Sequence, residues 1–292
     1  MDGEVAGMVT LRTVARVVRA RDTSDGAGVK LRRSLGGPEL DSADPFLLLD
    51  EFRSESGDDY AAGFPDHPHR GFETVTYMLA GVMRHEDHSG NRGELVPGSV
   101  QWMTAGRGII HSEMPQQRDG LMWGFQLWVN LPAKDKMMAP RYQEFPPEQI
   151  PVVHRADGTT VRVVAGESEG VSGAVVGIAT QPLYLDVAVP AGQSYEQATP
   201  TGHTGLVYVF EGEAEVGASA TGAGTRVAAS QLAVLTDGEA LRVVARATGV
   251  RFLLLAAQPL HEPVVRYGPF VMNTRAEIDQ AIRDFQSGAL GR

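Results

Sequence analysis

Short apolar segments separated by glycine and proline run through the 292-residue chain, and this feature constrains its fold most. The chain has 34 glycines and 17 prolines, where average composition gives roughly 35 of the two together. The segments between them are rich in valine, leucine, threonine and aromatic residues, as β-strands are. The clearest are residues 74–79, 100–104, 124–129, 183–189, 206–210, 231–235 and 251–256. This pattern predicts an all-β fold of barrels or sandwiches.

A weak internal repeat indicates two similar β-domains. The run from His67 to Gly81 has a faded counterpart from His203 to Gly212, and in both cases a second strand and a glycine-containing loop follow. A proline-rich stretch at 131–151 separates the two copies. We therefore predict an N-terminal domain over residues 1–135 and a C-terminal domain over residues 150–292.

The clearest helical signal lies in the last twenty residues. Thr274 and Glu277 have the spacing of a capping box, and apolar residues on one helical face follow before Gly288. We predict one short C-terminal helix here.

Composition excludes several classes of function. The 26 basic and 36 acidic residues give a net charge of −10, which disfavours direct binding to nucleic acid or to anionic membranes. The chain has no cysteine, so disulfides, thiolate metal sites and cysteine nucleophiles are excluded. We find no N-terminal leader in which a basic segment precedes an apolar one. The apolar runs are also much shorter than the about 20 residues that a membrane span needs. The sequence predicts a cytoplasmic protein without a membrane partner.

Two closely spaced pairs of residues predict a metal site. His67 and His69 form one pair, and His111 and Glu113 form the other, just after a glycine-rich turn. Residues i and i+2 of a strand project to the same face, so each pair can reach one ion. Three imidazoles and one carboxylate suit a first-row divalent metal such as Fe, Ni, Cu or Zn better than Ca²⁺ or Mg²⁺.

Four protein ligands in an octahedral shell leave two open positions, which is typical of a catalytic metal site. A single pair of histidines on a strand is commonly a surface or packing feature. Here two such pairs occur in a chain with only eight histidines, which favours the metal site.

Five longer motifs are found in the chain: His67-Pro-His-Arg-Gly-Phe-Glu-Thr-Val-Thr-Tyr77, His85-Glu-Asp87, residues 97–115 with Ala105-Gly-Arg-Gly-Ile-Ile-His-Ser-Glu-Met-Pro115, Gln126-Leu-Trp-Val-Asn-Leu-Pro132 and Gly268-Pro-Phe-Val-Met-Asn-Thr274. In these motifs the chain resembles the pirin family, whose members are two-domain cupins. These motifs cover the N-terminal half densely and the C-terminal half only near its end.

The resemblance implies two tandem cupin barrels, each a jelly-roll or double-stranded β-helix. It implies one metal ion in the first barrel, bound by His67, His69, His111 and Glu113, and a degenerate second barrel without metal. It also implies that the C-terminal tail returns to the N-terminal domain. Fe²⁺ is the metal that the family favours, with Mn, Co, Ni, Cu and Zn as alternatives.

The carboxylate ligand has a competitor. Cupins in general place their glutamate a few residues after the first histidine pair, where Glu73 stands, whereas the pirin pattern uses Glu113. We favour Glu113, because the whole flanking run matches the pirin motif. Glu73 is then a carboxylate outside the ligand set.

For function, the resemblance implies a dioxygenase that uses O₂ to open the heterocyclic ring of flavonols such as quercetin, a quercetin 2,3-dioxygenase-like activity with Glu113 as the catalytic base. The alternative is a metal- or redox-dependent regulatory protein that binds a metabolic enzyme or a transcription factor without turnover. A third class, a storage-like bicupin, predicts no bound metal. A cavity of several hundred Å³ at the metal would favour the enzyme.

Several further residues are weaker candidates. His85 and His88 are predicted to lie in a solvated hairpin loop, and Arg107 to fix the turn before His111. Trp102, Trp123 and Phe125 line either an aromatic-accepting pocket or the core, and strand aromatics are more often core.

Overall fold

A computed structural model describes residues 9–218 and 222–292 of the chain. Strands dominate it, and one α-helix lies near the C-terminal end. The predicted all-β fold is therefore confirmed. The strands are, in chain order, β1 (Val14–Arg19), β2 (Arg21–Asp25), β3 (Val29–Leu35), β4 (Phe46–Ser54), β5 (Phe64–His69), β6 (Phe72–Ala80), β7 (Met83–Asp87), β8 (Arg92–Leu95), β9 (Val100–Thr104), β10 (Ile109–Pro115), β11 (Met122–Asn130), β12 (Arg141–Phe145), β13 (Val152–His154), β14 (Thr160–Ala165), β15 (Glu167–Ser168), β16 (Val171–Ser172), β17 (Leu183–Val189), β18 (Ser194–Ala198), β19 (Thr204–Val216), β20 (Thr225–Ala228), β21 (Gln231–Leu235), β22 (Ala240–Ala257), β23 (Val265–Tyr267) and β24 (Phe270–Met272). The helix α1 spans Arg275–Gln286, and single 3₁₀ turns lie at Gly57–Asp59, Ala133–Asp135 and Pro147–Gln149.

The described residues form two compact units. Unit I comprises Ala20–Pro151, Ala174–Gln181 and Pro259–Arg292. Unit II comprises the described part of Met1–Arg19 together with Val152–Gly173 and Pro182–Gln258. The chain thus enters each unit more than once, and the simpler division into 1–135 and 150–292 stays a prediction.

Unit I contains two large antiparallel sheets and the two-stranded sheet β23-β24. One large sheet has the strand order β12-β9-β6-β11-β4-β3-β2, and the other has the order β5-β10-β7-β8. Side chains on alternate positions of the larger sheet point to opposite faces. On β11 one face carries Phe125 and Leu127, which are fully buried, and the other carries Gln126 and Trp128. The face with Gln126 and Trp128 lines the cavity described below.

Unit II is built around one sheet with the order β1-β21-β19-β22-β17-β14-β13, to which β18 and β20 add at β22 and β19. Its interior contains a large apolar cluster to which alternate residues of these strands contribute. Tyr195 of β18 and Leu241 and Val243 of β22 belong to that cluster. Strands β18 and β22 pair with each other in unit II as β5 and β10 do in unit I. The side chains that point inward from β18 and β22 include these apolar residues.

The predicted C-terminal helix is present, with the predicted N-cap. The hydroxyl of Thr274 accepts a hydrogen bond from the Glu277 backbone N–H at 3.3 Å, and the Glu277 carboxylate accepts one from the Thr274 backbone N–H at 2.8 Å. Ile278 and Ala281 are buried, whereas Phe285 at the end of the same face is 41% exposed. Within the described ranges, no helix combines the length and apolar character that a bilayer span requires. The cytoplasmic location stays a prediction.

Candidate metal centre and cavity

Three histidines converge on two neighbouring strands of unit I. Strands β5 and β10 are antiparallel, and His111 lies directly opposite His67, while His69 lies opposite Ile109. A ligand nitrogen from each of the three histidines can be chosen so that all lie within 4.8 Å of one another. His111, 44 positions after His67 in the sequence, therefore joins the first histidine pair because the two strands pair directly.

The three imidazoles have free nitrogen atoms. The Nδ1 atom of His67 lies 2.8 Å from the Pro65 carbonyl oxygen, which leaves its Nε2 atom available. His69 and His111 are 2% and 1% exposed, and no ring nitrogen of either has a hydrogen-bond partner among the described residues. A buried polar atom without a partner is costly, so these nitrogens fit a group that the side chains alone do not supply.

Burial also keeps two of these imidazoles neutral. The pKa of His69 lies well below its usual value, first because of burial and then because of the nearby His111 and His67. Burial and the nearby His67 and His85 lower the pKa of His111 in the same way. A neutral imidazole has the lone pair that a metal needs. The donor set therefore fits a borderline divalent ion.

The predicted fourth ligand, Glu113, lies close by but outside this group of three. Its Oε1 atom accepts a hydrogen bond from the Thr76 hydroxyl at 2.7 Å, and its Oε2 atom accepts one from Gln126 Nε2 at 3.1 Å. The register of β10 against β5 shifts between His111 and Glu113, which marks a bulge. Glu113 is 3% exposed and lines the same cavity as His67 and His69.

The competing carboxylate, Glu73, has different surroundings. Its Oε1 atom accepts a hydrogen bond from the Thr104 hydroxyl at 2.6 Å, and the side chain does not line the cavity. Burial raises the pKa of Glu73 to about 6, against the hydrogen bond from Thr104, which lowers it. This geometry favours Glu113 over Glu73 as the carboxylate that serves the site.

We expect Glu73→Gln to leave metal binding unchanged and to stabilise the protein above pH 6. The folded-state pKa of Glu73 is about 6 against an ordinary 4.5, so the folded protein holds this proton more tightly than the unfolded chain. The free energy of unfolding therefore falls as the pH rises from about 4.5 to about 6. The free energy of unfolding falls by about 2 kcal/mol over this range. Glu73→Gln cannot ionise at this position and should not show the fall.

Urea unfolding at pH 4.5 and pH 7, with metal content measured on the same samples, checks this expectation. Glu86→Gln, at an exposed position of β7, is the matched control. Loss of metal from the Glu73 variant with retention in Glu113→Ala would exchange the roles of the two carboxylates.

A cavity of about 500 Å³ opens beside the histidines. This volume lies in the range of small-molecule sites. Its wall includes Phe52, Phe64 and Trp128 as aromatic side chains, and every residue that lines it belongs to unit I. The guanidinium of Arg266 lies 4.7 Å from the centre of the Trp128 ring, so part of the wall is a stacked cation and aromatic pair.

The weaker candidates have other places. Trp102, Trp123 and Phe125 are buried and do not line the cavity, so they belong to the core. Sequence reasoning missed Trp128, whose place in the cavity depends on which face of β11 points inward. The apolar pattern of this strand does not distinguish its two faces.

His85 and His88 were predicted in a solvated loop. His85 instead lies within β7, is 3% exposed, and places Nε2 2.6 Å from the Glu144 carboxylate. His88 is exposed, and its Nδ1 atom accepts a hydrogen bond from the Ile110 backbone N–H at 3.1 Å. Arg107 donates to the Gly291 carbonyl at 3.1 Å, so it joins the turn before His111 to the C-terminal end of the chain.

Comparison with known proteins identifies the family. The model of the family described as Pirin matches residues 28–129, and that of the Pirin C-terminal cupin domain matches residues 184–291. The chain belongs to the pirin family. The resemblance predicted from the motifs is therefore confirmed.

Similar proteins are known from several organisms. A pirin-like protein of Caulobacter vibrioides is 51% identical over 95% of this chain and 99% of its own length. Human pirin is 44% identical over 97% of this chain and 96% of its own length. A crystal structure of a quercetin 2,3-dioxygenase from Acinetobacter baumannii superposes with a TM-score of 0.86 at 35% identity, covering 96% of this chain and 99% of that one. The predicted fold, two cupin domains with a short C-terminal helix, is confirmed.

Proposed function

We propose that this pirin is a metal-dependent dioxygenase that opens the heterocyclic ring of flavonols such as quercetin. The observation that carries the proposal is a cavity of about 500 Å³ bordered by His67 and His69, two of the three imidazoles that fit a metal. A bicyclic substrate with a phenyl substituent needs a cavity of several hundred Å³ beside the metal. A solved relative with 35% identity is named for this activity.

His67, His69 and His111 would hold the ion, with Glu113 as the carboxylate ligand. Fe²⁺ is our first choice, and Mn, Co, Ni, Cu and Zn remain alternatives, because imidazole accepts all of them. When bound, the ion would supply Lewis-acid stabilisation of the ionised 3-hydroxyl of the flavonol. Neutral imidazoles would leave the positive charge of a divalent ion uncompensated, so its attraction for an anion would be strong.

Glu113 would act as the general base for the 3-hydroxyl. Its carboxylate lines the cavity and is held by hydrogen bonds from Thr76 and Gln126, so it can take a proton from a hydroxyl that faces the histidines. The ionised flavonol is then electron-rich and reacts with O₂. The ring opens with loss of carbon monoxide, and the proton returns to the product.

The cavity wall would orient the aromatic rings and exclude water. Trp128 borders the cavity, with Arg266 over its ring and Phe72 packed against it at 4.4 Å between the ring centres. Leu31, Leu48 and Phe52 supply apolar surface on the same cavity. Such a wall favours a planar aromatic substrate over an aliphatic one.

We expect the metal-reconstituted protein to consume O₂ and to bleach the absorption band of a flavonol under air. The assay uses several flavonols and one flavone, which lacks the 3-hydroxyl and should not react. Metal analysis on protein purified anaerobically identifies the ion and tests the storage alternative, which predicts none. A protein that binds one ion per chain and leaves every flavonol intact would contradict the dioxygenase proposal.

The regulatory alternative, with a metabolic enzyme or transcription factor as partner, stays a prediction. A regulator that senses metal or redox state needs only a narrow solvent path to its ion, whereas the observed cavity has the volume of a ligand site.

A further inference from the structure

The carboxylate of Glu113 is held by two side chains from the facing sheet. Thr76 on β6 and Gln126 on β11 lie directly opposite each other in that sheet. Glu113 lies on β10 of the other sheet. The Thr76 hydroxyl and the Gln126 amide each reach a different carboxylate oxygen, at 2.7 and 3.1 Å. We call Thr76 and Gln126 the carboxylate clamp.

A third contact joins the two members of the clamp. The Thr76 hydroxyl lies 2.7 Å from the Oε1 atom of Gln126 as well as 2.7 Å from Glu113. A hydroxyl has one hydrogen and therefore donates to one of these oxygens at a time. If Glu113 moves away, the Thr76 hydrogen still has an acceptor in Gln126. Departure of the carboxylate thus leaves no buried hydroxyl without a hydrogen-bond partner, which lowers the free-energy cost of the departure.

All three side chains line the cavity together with His67 and His69. In the described structure the carboxylate is on the clamp and is not part of the close group of three imidazoles. The ring nitrogens of His69 and His111 have no hydrogen-bond partner among the described residues. Glu113 therefore has one position that is defined by hydrogen bonds, and imidazoles that would hold an ion line the same cavity.

We propose that Thr76 and Gln126 are positioning residues that give Glu113 a resting position off the metal, so that the carboxylate exchanges between clamp and ion. The proposal rests on the proposed function, in which Glu113 serves both as ligand and as base. A carboxylate fixed on the ion has fewer lone pairs for a substrate proton. The clamp competes with the ion for Glu113, so that the carboxylate is free to accept a proton from the substrate.

Removal of the Thr76 hydroxyl is therefore expected to strengthen metal binding and to slow turnover. We expect Thr76→Val to tighten binding of Co²⁺ to the metal-free protein by about tenfold, because the clamped position loses a charge-assisted hydrogen bond and the liganded position does not. Turnover of a flavonol should fall about tenfold in kcat with little change in KM. Thr76→Ser keeps the hydroxyl and should restore both values. Thr74→Val, the same change two residues away on β6, is the matched control.

The experiment is a Co²⁺ titration followed by the visible d–d absorption bands, which report the number and type of ligands. A double-mutant cycle completes it: in a Glu113→Gln background, Thr76→Val should no longer tighten Co²⁺ binding. Circular dichroism verifies that each variant is folded. Weaker or unchanged Co²⁺ binding by folded Thr76→Val, or equal tightening in the Glu113→Gln background, would overturn the clamp.

The two proposals fail separately. Tighter Co²⁺ binding by Thr76→Val in a protein that leaves all flavonols intact would support the clamp and reject the dioxygenase. Flavonol turnover by the wild type, with Co²⁺ affinity unaffected by Thr76→Val, would do the reverse.

Discussion

Replacing His111 with alanine is expected to abolish stoichiometric metal binding and flavonol turnover while the fold of unit I persists. His111 is one of the three imidazoles that come together at the site, and its ring nitrogens have no partner in the described part of the chain. Loss of a ligand should weaken binding by at least about a hundredfold, because even residues that merely orient a ligand contribute tenfold to a hundredfold. The imidazole of His111 makes no hydrogen bond among the described residues, so its removal costs no hydrogen bond that supports the fold.

Metal analysis and thermal unfolding check this together. An ion that binds only the folded state stabilises it by about 4 kcal/mol at a thousand times the dissociation constant. Excess metal should therefore raise the Tm of the wild type and leave that of His111→Ala unchanged. His154→Ala, at an exposed position of β13, is the control and should respond as the wild type does. One ion per chain bound at wild-type affinity by His111→Ala would remove this residue from the ligand set.

Strands with glycine or proline near their ends were predictable from the sequence. Residues 100–104, 183–189 and 231–235 were predicted as strands, and the structure has these same bounds for β9, β17 and β21. The long strand β22 was predicted only over 251–256, because Arg242 and Arg246 interrupt its apolar pattern. Both arginines occupy outward positions that solvent reaches, so the strand continues past them. Buried and partly exposed positions alternate from Leu241 to Ala245, so no continuous apolar run marks this part of the strand.

The histidine group was predictable because the i, i+2 spacing determines which side chains share a face. The state of Glu113 was not, since the same spacing places it beside His111 without saying which sheet lies opposite. Thr76 and Gln126 come from 37 residues before and 13 residues after Glu113, and only the packing of the two sheets brings them together. The sequence contains no local signal for such a contact.

A second large effect is expected at Lys136, whose ammonium group ties the C-terminal segment to the strands next to the site. Lys136 is 1% exposed and donates to the Gly71 carbonyl at 2.7 Å, to Asn130 Oδ1 at 2.6 Å and to the Val271 carbonyl at 3.0 Å. Burial lowers its pKa to about 8, so the group still carries its proton at pH 7. Three donors meet three acceptors, and the nearby carboxylates of Glu262 and Glu277 raise the pKa against the effect of burial.

Lys136→Met should lower the free energy of unfolding by about 3 kcal/mol, since three buried oxygens lose a donor at about 1 kcal/mol each or more. Metal affinity should fall with it, because Gly71 lies two residues after His69 and Val271 lies two residues after Pro269, which lines the cavity. Urea unfolding of the metal-free proteins and Co²⁺ titration measure the two effects. The control is Lys134→Met, the same change at an exposed position, which should stay within about 0.5 kcal/mol of the wild type. Equal stability of the two variants would mean that the three hydrogen bonds of Lys136 contribute no more than its burial costs, and that the C-terminal segment is held by its apolar contacts alone.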